Sequence, residues 1–305
     1  MPDVLDEAKW ALDWLLRMQG KDGSVLSALG RDSASPPSDD TGPSRYGPAS
    51  TSATLSAAGT FAFAALVFRD SPAPGHAAYA ERLEAAALSA WRWAEANRAV
   101  LFYNNDTRSK SEGLGAGQQE VEPEYLNGKR YAAAVYLSVL TGDEVFLPVM
   151  DAAFAETAMS RSGLVDAYRY EVQDAALFVA RQEGSPPELS AYLADLYTAR
   201  LPPDAAPGYG VPVDVLHWGS NCVMATTGTL YLQAGRVSAE AGLAAPYAAR
   251  AGLPALSPRR QSDGQGVPHQ HGRVRGGLLG RRVLPHLADG RAHSRLCRRR
   301  AEPGI

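Results

Sequence analysis

STSATLSAAGTFAFAALVF, residues 50–68, is the stretch whose reading decides the fold. Nearly every side chain in it is small or apolar, and it is far longer than an ordinary strand. Ser50 or Thr51 supplies an N-cap for a helix. A helix that is apolar around most of its circumference must be covered on several sides. The stretch therefore predicts a central helix enclosed by others.

Outward from it, the same periodicity recurs. Residues 4–18 (VLDEAKWALDWLLRM) put Leu5, Ala8, Leu12, Leu15 and Leu16 on one face, with Trp10 and Trp14 beside them. Asp3, Asp6 and Glu7 suit the first turn of that helix, and Gly20 and Gly23 end it. Residues 24–48, rich in Ser, Asp, Gly and Pro, predict a long loop closing on Arg45-Tyr46-Gly47-Pro48. Further helices are predicted over 77–97, 125–140, 144–158, 172–182, 187–199 and 221–234, with Pro148 tolerated in a first turn. Residues 104–117 form a second polar loop, and no period-2 strand pattern stands out. The fold class is all-α. Long loops between helix pairs favour hairpins closed into an α/α toroid with one loop-built face.

A chain of 305 residues can bury a sizeable core. Its net charge of −3 hides an asymmetry: residues 259–305 hold eleven arginines, no lysine and three acids, which gives +8 and leaves −11 for the rest. Cys222 and Cys297 offer neither a metal spacing nor a disulfide framework. No strictly apolar run reaches the roughly 18 residues of a membrane span. The acidic start lacks the basic region of a signal peptide, and a helix that begins so early suits a truncated domain or, equally, a small cytosolic protein.

The chemistry-bearing candidates gather near residues 208–233, GYGVPVDVLHWGSNCVMATTGTLYLQ. A Gly/Pro loop delivers Trp218 to the start of an apolar helix. Trp218 is either a core residue or a platform whose ring stacks on the C–H face of a pyranose. His217 and Asn221 can add hydrogen bonds, although Asn221 also suits the cap of the following helix. Tyr46, at the end of the first long loop, either reaches a binding cleft or packs beneath it. Asp106 and Glu112 read as solvated loop carboxylates, and Asp166, Glu171 and Asp174 as surface charge.

Several segments, in order, resemble the catalytic domain of glycoside hydrolase family 9, the endoglucanases and related β-glycan hydrolases. They are DVLDEAKWALDWLLRMQ (3–19), YGPASTSATLSAAGTFAFAALVF (46–68), ALSAWRWAEAN (87–97), RYAAAVYLSVLTGD (130–143), and GYGVP (208–212) with WGSN (218–221). The resemblance implies an (α/α)6 barrel of helical hairpins, here incomplete at both ends. It implies inverting hydrolysis of β-1,4-glucosidic bonds by a carboxylate base and a glutamic acid set roughly 6.5–9.5 Å apart. It places Trp218 in the cleft as a sugar-stacking residue, with His217, Asn221 and Tyr46 as companions. The family's Asp-Ala-Gly-Asp base motif and its late acid Glu have no counterpart in this chain, so no catalytic residue is assigned. Gly128-Lys129-Arg130 also departs from the family's aromatic lead into its Ala-rich helix.

The resemblance covers residues 1–250 and stops near Arg250. Back-translated and read one base later, residues 260–276 can spell Ala-Asn-Pro-Met-Gly-Arg-Val-Phe-Leu-Thr-Asn-Met-Gly-Ala-Tyr-Gly. Residues 292–305 can likewise spell a Gly-Gly-Pro-Asn segment. Both resemble family motifs in family order, so residues 251–305 read as a frameshifted or disordered tail. On that reading the tail's arginines mark no nucleic-acid site. Its histidines, His269, His271, His286 and His293, mark no metal site. The expectation is a β-glucan or cellooligosaccharide ligand and a poorly soluble monomer, with no cofactor, metal, nucleic acid or membrane. The functional reading is an endo-β-1,4-glucanase by descent that is inactive in this form. A non-catalytic β-glucan-binding remnant and a helical-repeat interaction protein are the alternatives.

Overall fold

The computed structural model describes residues 2–31, 42–113, 123–200 and 220–243. The chain divides into two compact units, Met1–Ala153 and Phe154–Ile305, and each is described by itself.

The first unit holds α1 (Pro2–Arg17), α2 (Thr51–Arg69), α3 (His76–Ala96) and α4 (Pro123–Thr141). α2 is the central helix: Leu55, Ala57, Ala58, Phe61, Ala62, Ala65 and Phe68 are all buried. It starts at a cap in which the Ser50 hydroxyl accepts from the Ala53 amide at 3.2 Å. Its small residues let neighbours come close. A Cβ added at Gly59 would lie 3.5 Å from the Ala133 Cα of α4. Phe68 packs edge-on against His76 and Tyr79 of α3.

Side-chain ties between helices give their directions. Tyr79 donates to Asp13 at 2.9 Å and Gln19 donates to the Ala86 carbonyl at 2.9 Å, so α1 and α3 run the same way. Lys129 donates to Ser56 at 2.7 Å and Arg69 to the Leu140 carbonyl at 3.0 Å, so α2 and α4 also run together. α3 returns antiparallel along α2, with Asn97 beside Thr51 and Glu84 paired with Arg69. The helices thus alternate between two directions, as stacked hairpins do. Lys129 and Arg130, which replace an expected aromatic lead, tie α4 to its neighbours: Arg130 pairs with Glu95 of α3 at 2.5 Å.

Four expectations need correction. Residues 24–48 are not all loop: β1 (Leu29–Arg31) and β2 (Ser44–Tyr46) form a two-stranded antiparallel ribbon with Leu29 opposite Tyr46. Strands of three residues are too short to show alternation in sequence. The ribbon is extended by the Gly47 amide bonding the Ala28 carbonyl at 2.9 Å and the Ser27 amide bonding the Pro48 carbonyl at 3.0 Å. Residues 144–158 are not one helix. A 3-10 turn at Glu144–Phe146 leads into α5 (Leu147–Ala155), which carries Pro148 in its first turn. Thr157 then ends one helix and caps the next, donating to the Phe154 carbonyl and accepting from the Ser160 amide. The last described helix extends to Glu240, six residues beyond Ala234. Finally, α2 is long and apolar enough by length and composition to cross a membrane, although over half of it is buried inside the structure.

The second unit contains α6 (Ala158–Ser162), α7 (Tyr170–Ala180), α8 (Pro187–Arg200) and α9 (Ser220–Glu240). Tyr197 near the end of α8 donates to Gln173 near the start of α7 at 3.1 Å, so those helices are antiparallel. Arg181, just past α7, forms a bidentate pair with Glu240 at the end of α9, so α7 and α9 are parallel. Tyr197 also meets the ring of Tyr231 at 5.4 Å in an edge-on contact. Met159, Leu177, Leu189 and Leu193 fill the space between them.

Gly59 supplies a direct check on the α2–α4 packing. Gly59→Ala should keep or raise stability, by up to about 1 kcal/mol, because every neighbour of the added Cβ stands at ordinary contact distance. Gly59→Leu should cost about 1–3 kcal/mol by overpacking. Chemical denaturation of the two variants reads both signs.

Candidate functional site

In the first unit the connections differ sharply between the two helix ends. Residues 18–50 and 97–122 enter the N-terminal ends of α2 and α4, whereas residues 70–75 and 142–146 make short turns at the opposite end. Long loops set on a rigid helical base are where binding groups are placed. The end is well anchored. The Thr51 amide donates to the Val100 carbonyl at 2.9 Å, and the Thr51 hydroxyl accepts from the Val100 amide at 2.9 Å while donating to the Asn97 carbonyl. Gly47 lies against the Phe102 ring, and Arg45 packs across Gly113. These contacts join the ribbon to the 98–113 loop.

Tyr46 stands at this end and is 56% exposed. It therefore presents its ring to solvent and does not pack beneath the loop. Asp106, expected as a solvated loop carboxylate, instead organises its loop. It caps the 3-10 turn Thr107–Ser109 by accepting from the Arg108 amide at 2.8 Å, and pairs with the Arg108 guanidinium through both oxygens at 2.8 and 2.6 Å. That guanidinium lies 3.7 Å over the Tyr103 ring. The Arg108 hydrogen bonds hold the Asp106 carboxyl down to about 2. Such a group stays ionised at neutral pH and is a poor general base. Sequence reading missed this element, although Asn104-Asn105-Asp106-Thr107 is the composition of a capped turn.

Residues 181–186 form a short turn between α7 and α8, while residues 201–219 lead into the N-terminus of α9. The Arg181–Glu240 pairing and the Tyr197–Tyr231 contact set Tyr231 level with the start of α7. The first ten or so residues of α9 therefore run on past α7 by roughly 15 Å. In keeping with that overhang, no side chain from Cys222 to Thr229 is fully buried. Asn221 lies in this first turn. The helix already begins at Ser220, so Asn221 sits inside it and does not precede it.

Trp218 and His217 fall outside the described residues, as do the tail arginines and histidines. Of the four candidate binding residues, the structure thus places Tyr46 in the first unit and Asn221 in the second. Asp166, read as surface charge, is another cap. It accepts from the Tyr168 and Arg169 amides at 2.8 and 2.9 Å and pairs with Arg169 at 2.5 Å. Among the described residues no group of His, Cys, Asp and Glu is placed to hold a metal ion.

The ionisation of Asp106 gives a pH test. Its carboxyl is depressed in the folded state, so its contribution is complete above the ordinary aspartate range, near 4. That contribution is lost as pH falls through about 2. Hydrogen exchange at the Arg108 amide should stay slow down to about pH 3 and accelerate below it, whereas Asp106→Ala should exchange fast throughout.

Comparison with known proteins adds the following. The sequence model of glycosyl hydrolase family 9 matches residues 1–251. A cellodextrinase from Butyrivibrio fibrisolvens is 31% identical over 147 residues, which is 47% of this chain and 25% of that protein. The crystal structure of a metagenome-derived glycoside hydrolase family 9 endoglucanase superposes with a TM-score of 0.59 at 28% identity, covering 78% of this chain and 43% of that one. AaCel9A, solved in complex with cellobiose-like isofagomine, superposes with a TM-score of 0.56 at 24% identity, covering 83% of this chain and 47% of that one. The chain spans about a quarter of the curated relative and under half of these structures. Such structures are helical (α/α)6 barrels, and the all-α hairpin architecture is shared.

Proposed function

The chain belongs to glycosyl hydrolase family 9, and from that premise we propose that the protein carrying it hydrolyses β-1,4-glucosidic bonds in cellulose-type glucans, with inversion. The match over residues 1–251 carries this reading. It is supported by the meeting of the β1–β2 ribbon and the 98–113 loop at one helix end of the first unit. Trp218 supplies a stacking face for a pyranose ring, with His217 and Asn221 contributing hydrogen bonds, and Tyr46 of the first unit offers a ring face of its own.

A finer reading concerns these 305 residues taken alone: they bind glucan without cutting it. No Asp-Ala-Gly-Asp sequence occurs among them, and Asp106 and Asp166 are committed as turn caps in ion pairs. Inverting chemistry needs a base and an acid on opposite faces of the sugar. The chain should bind cellohexaose, lose that binding by tenfold or more on Trp218→Ala, and release no reducing sugar from carboxymethylcellulose. Hydrolysis by the purified chain would overturn the binding-only reading; absence of any cellohexaose binding would overturn both.

Residues 252–305 belong to the same proposal. The family match ends at residue 251, next to the point where arginines become dense, eleven of them within residues 259–305. With suitable codons a one-base shift there can spell two family-like segments in order. We take the tail to be encoded out of frame, so its basic charge serves no partner. Sequencing the gene across codons 235–265 is the test. Codons that cannot spell those segments in the shifted frame would sink the idea.

A further inference from the structure

We propose that Asp106 and Arg108 form a polar ledge that hydrogen-bonds glucan hydroxyls at the loop end of the first unit. The inference rests on the glucan-binding reading above and adds a contact to it. Its starting point is the backbone. Among the described residues the only non-glycine residues in the left-handed region are Asn105 (φ 48°) and Lys110 (φ 49°). They bracket the segment that carries Asp106 and Arg108. Such conformations cost free energy and persist only where surrounding contacts enforce them.

Those contacts are on the inner side of the loop. The buried Ser109 hydroxyl accepts from the Tyr103 amide at 2.8 Å. The buried Ser111 hydroxyl accepts from the Asp106 amide at 3.1 Å and donates to the Tyr103 carbonyl. The Ser111 amide also donates to the Asp106 carbonyl at 3.2 Å. A simple solvated surface pair needs no scaffold of this kind.

The outer side is what the scaffold presents. The Arg108 side chain is 62% exposed and the Asp106 side chain 28% exposed; the guanidinium lies over the Tyr103 ring and is held to the carboxylate by two hydrogen bonds. Neighbouring sugar hydroxyls each donate and accept, and a carboxylate and guanidinium paired through two hydrogen bonds offer acceptors and donors side by side. Preorganisation matters because the entropy of ordering a long arginine side chain is spent at folding and not at binding. The segment lies at the end where the long loops gather and where Tyr46 is exposed.

The test is calorimetric titration of cellohexaose into the full chain, with a melting curve for each variant. Arg108→Ala should raise Kd about tenfold, the loss of roughly one charge-assisted hydrogen bond. Arg108→Lys should not restore it, because an ammonium lacks the planar fork. Asp106→Asn keeps an acceptor for the Arg108 amide and should raise Kd severalfold. If Arg108→Ala lowers the melting midpoint, Asp106→Asn decides the matter by the same criterion. Wild-type affinity in these variants, or full rescue by lysine, overturns the ledge. The outcome is distinct from failure of the underlying reading, in which the unmodified chain binds no cellohexaose and Trp218→Ala has nothing to lose.

Discussion

Close approach of helix backbones along α2 is the constraint on which the first unit depends. Gly59 and the run of alanines leave α2 with almost no side-chain bulk on two faces, so α3 and α4 can both reach it. The apolar area removed from water is concentrated in the larger residues spaced among them, Leu55, Phe61 and Phe68, each at most 2% exposed. A helix built this way has little specificity from shape alone. Direction and register come from polar ties at its ends: Ser50 and Thr51 at the start, Arg69 with Glu84 and the Leu140 carbonyl at the finish.

The same ties decide where the loops gather. By fastening the N-terminal end of α2 to Asn97 and Val100, Thr51 brings the ends of two long loops together. The ribbon then rests on that loop through Gly47 and Phe102. Exposed Tyr46 and the Asp106–Arg108 pair are consequences of this anchoring. In the second unit the buried Gln173 side chain has a comparable part. It donates to the Asp166 and Arg169 carbonyls at 2.6 and 3.0 Å and accepts from Tyr197, locking the turn that precedes α7 to α8. Both units therefore use buried polar side chains to hold a loop against a helical base that is otherwise apolar. Thr51 and Gln173 each both donate and accept hydrogen bonds, as burial of a polar side chain requires.

The helices were legible because their signals are local. Ser50 as a cap, Pro148 in a first turn and the Leu5–Leu16 stripe all operate within a few residues, and each stands where its spacing predicts. The break at Thr157 was not legible. Residues 144–158 carry no helix-breaking residue at that point, and only the pairing of the Thr157 hydroxyl with two backbone groups marks the new start. The ribbon was hidden for a related reason, since its register depends on Gly47 bonding Ala28 and Ser27 bonding Pro48, partners 19 and 21 residues apart. Asp106 and Asp166 look alike in sequence as exposed acids, and it is their turn geometry that makes them caps.

The amino-acid sequence by itself determined the all-α class, the positions of most helices and the family, because helical periodicity and short ordered motifs are properties of neighbouring residues. It also isolated residues 208–233 as the segment carrying Trp218. Only the tertiary structure decided which helices run together, which end collects the loops, and that the first turns of α9 overhang α7. Those depend on hydrogen bonds such as Lys129 to Ser56 and Arg181 to Glu240, whose partners lie 73 and 59 residues apart. No local pattern encodes a choice between partners at that distance; the folded chain makes it by burying one set of faces and satisfying the polar groups at their edges.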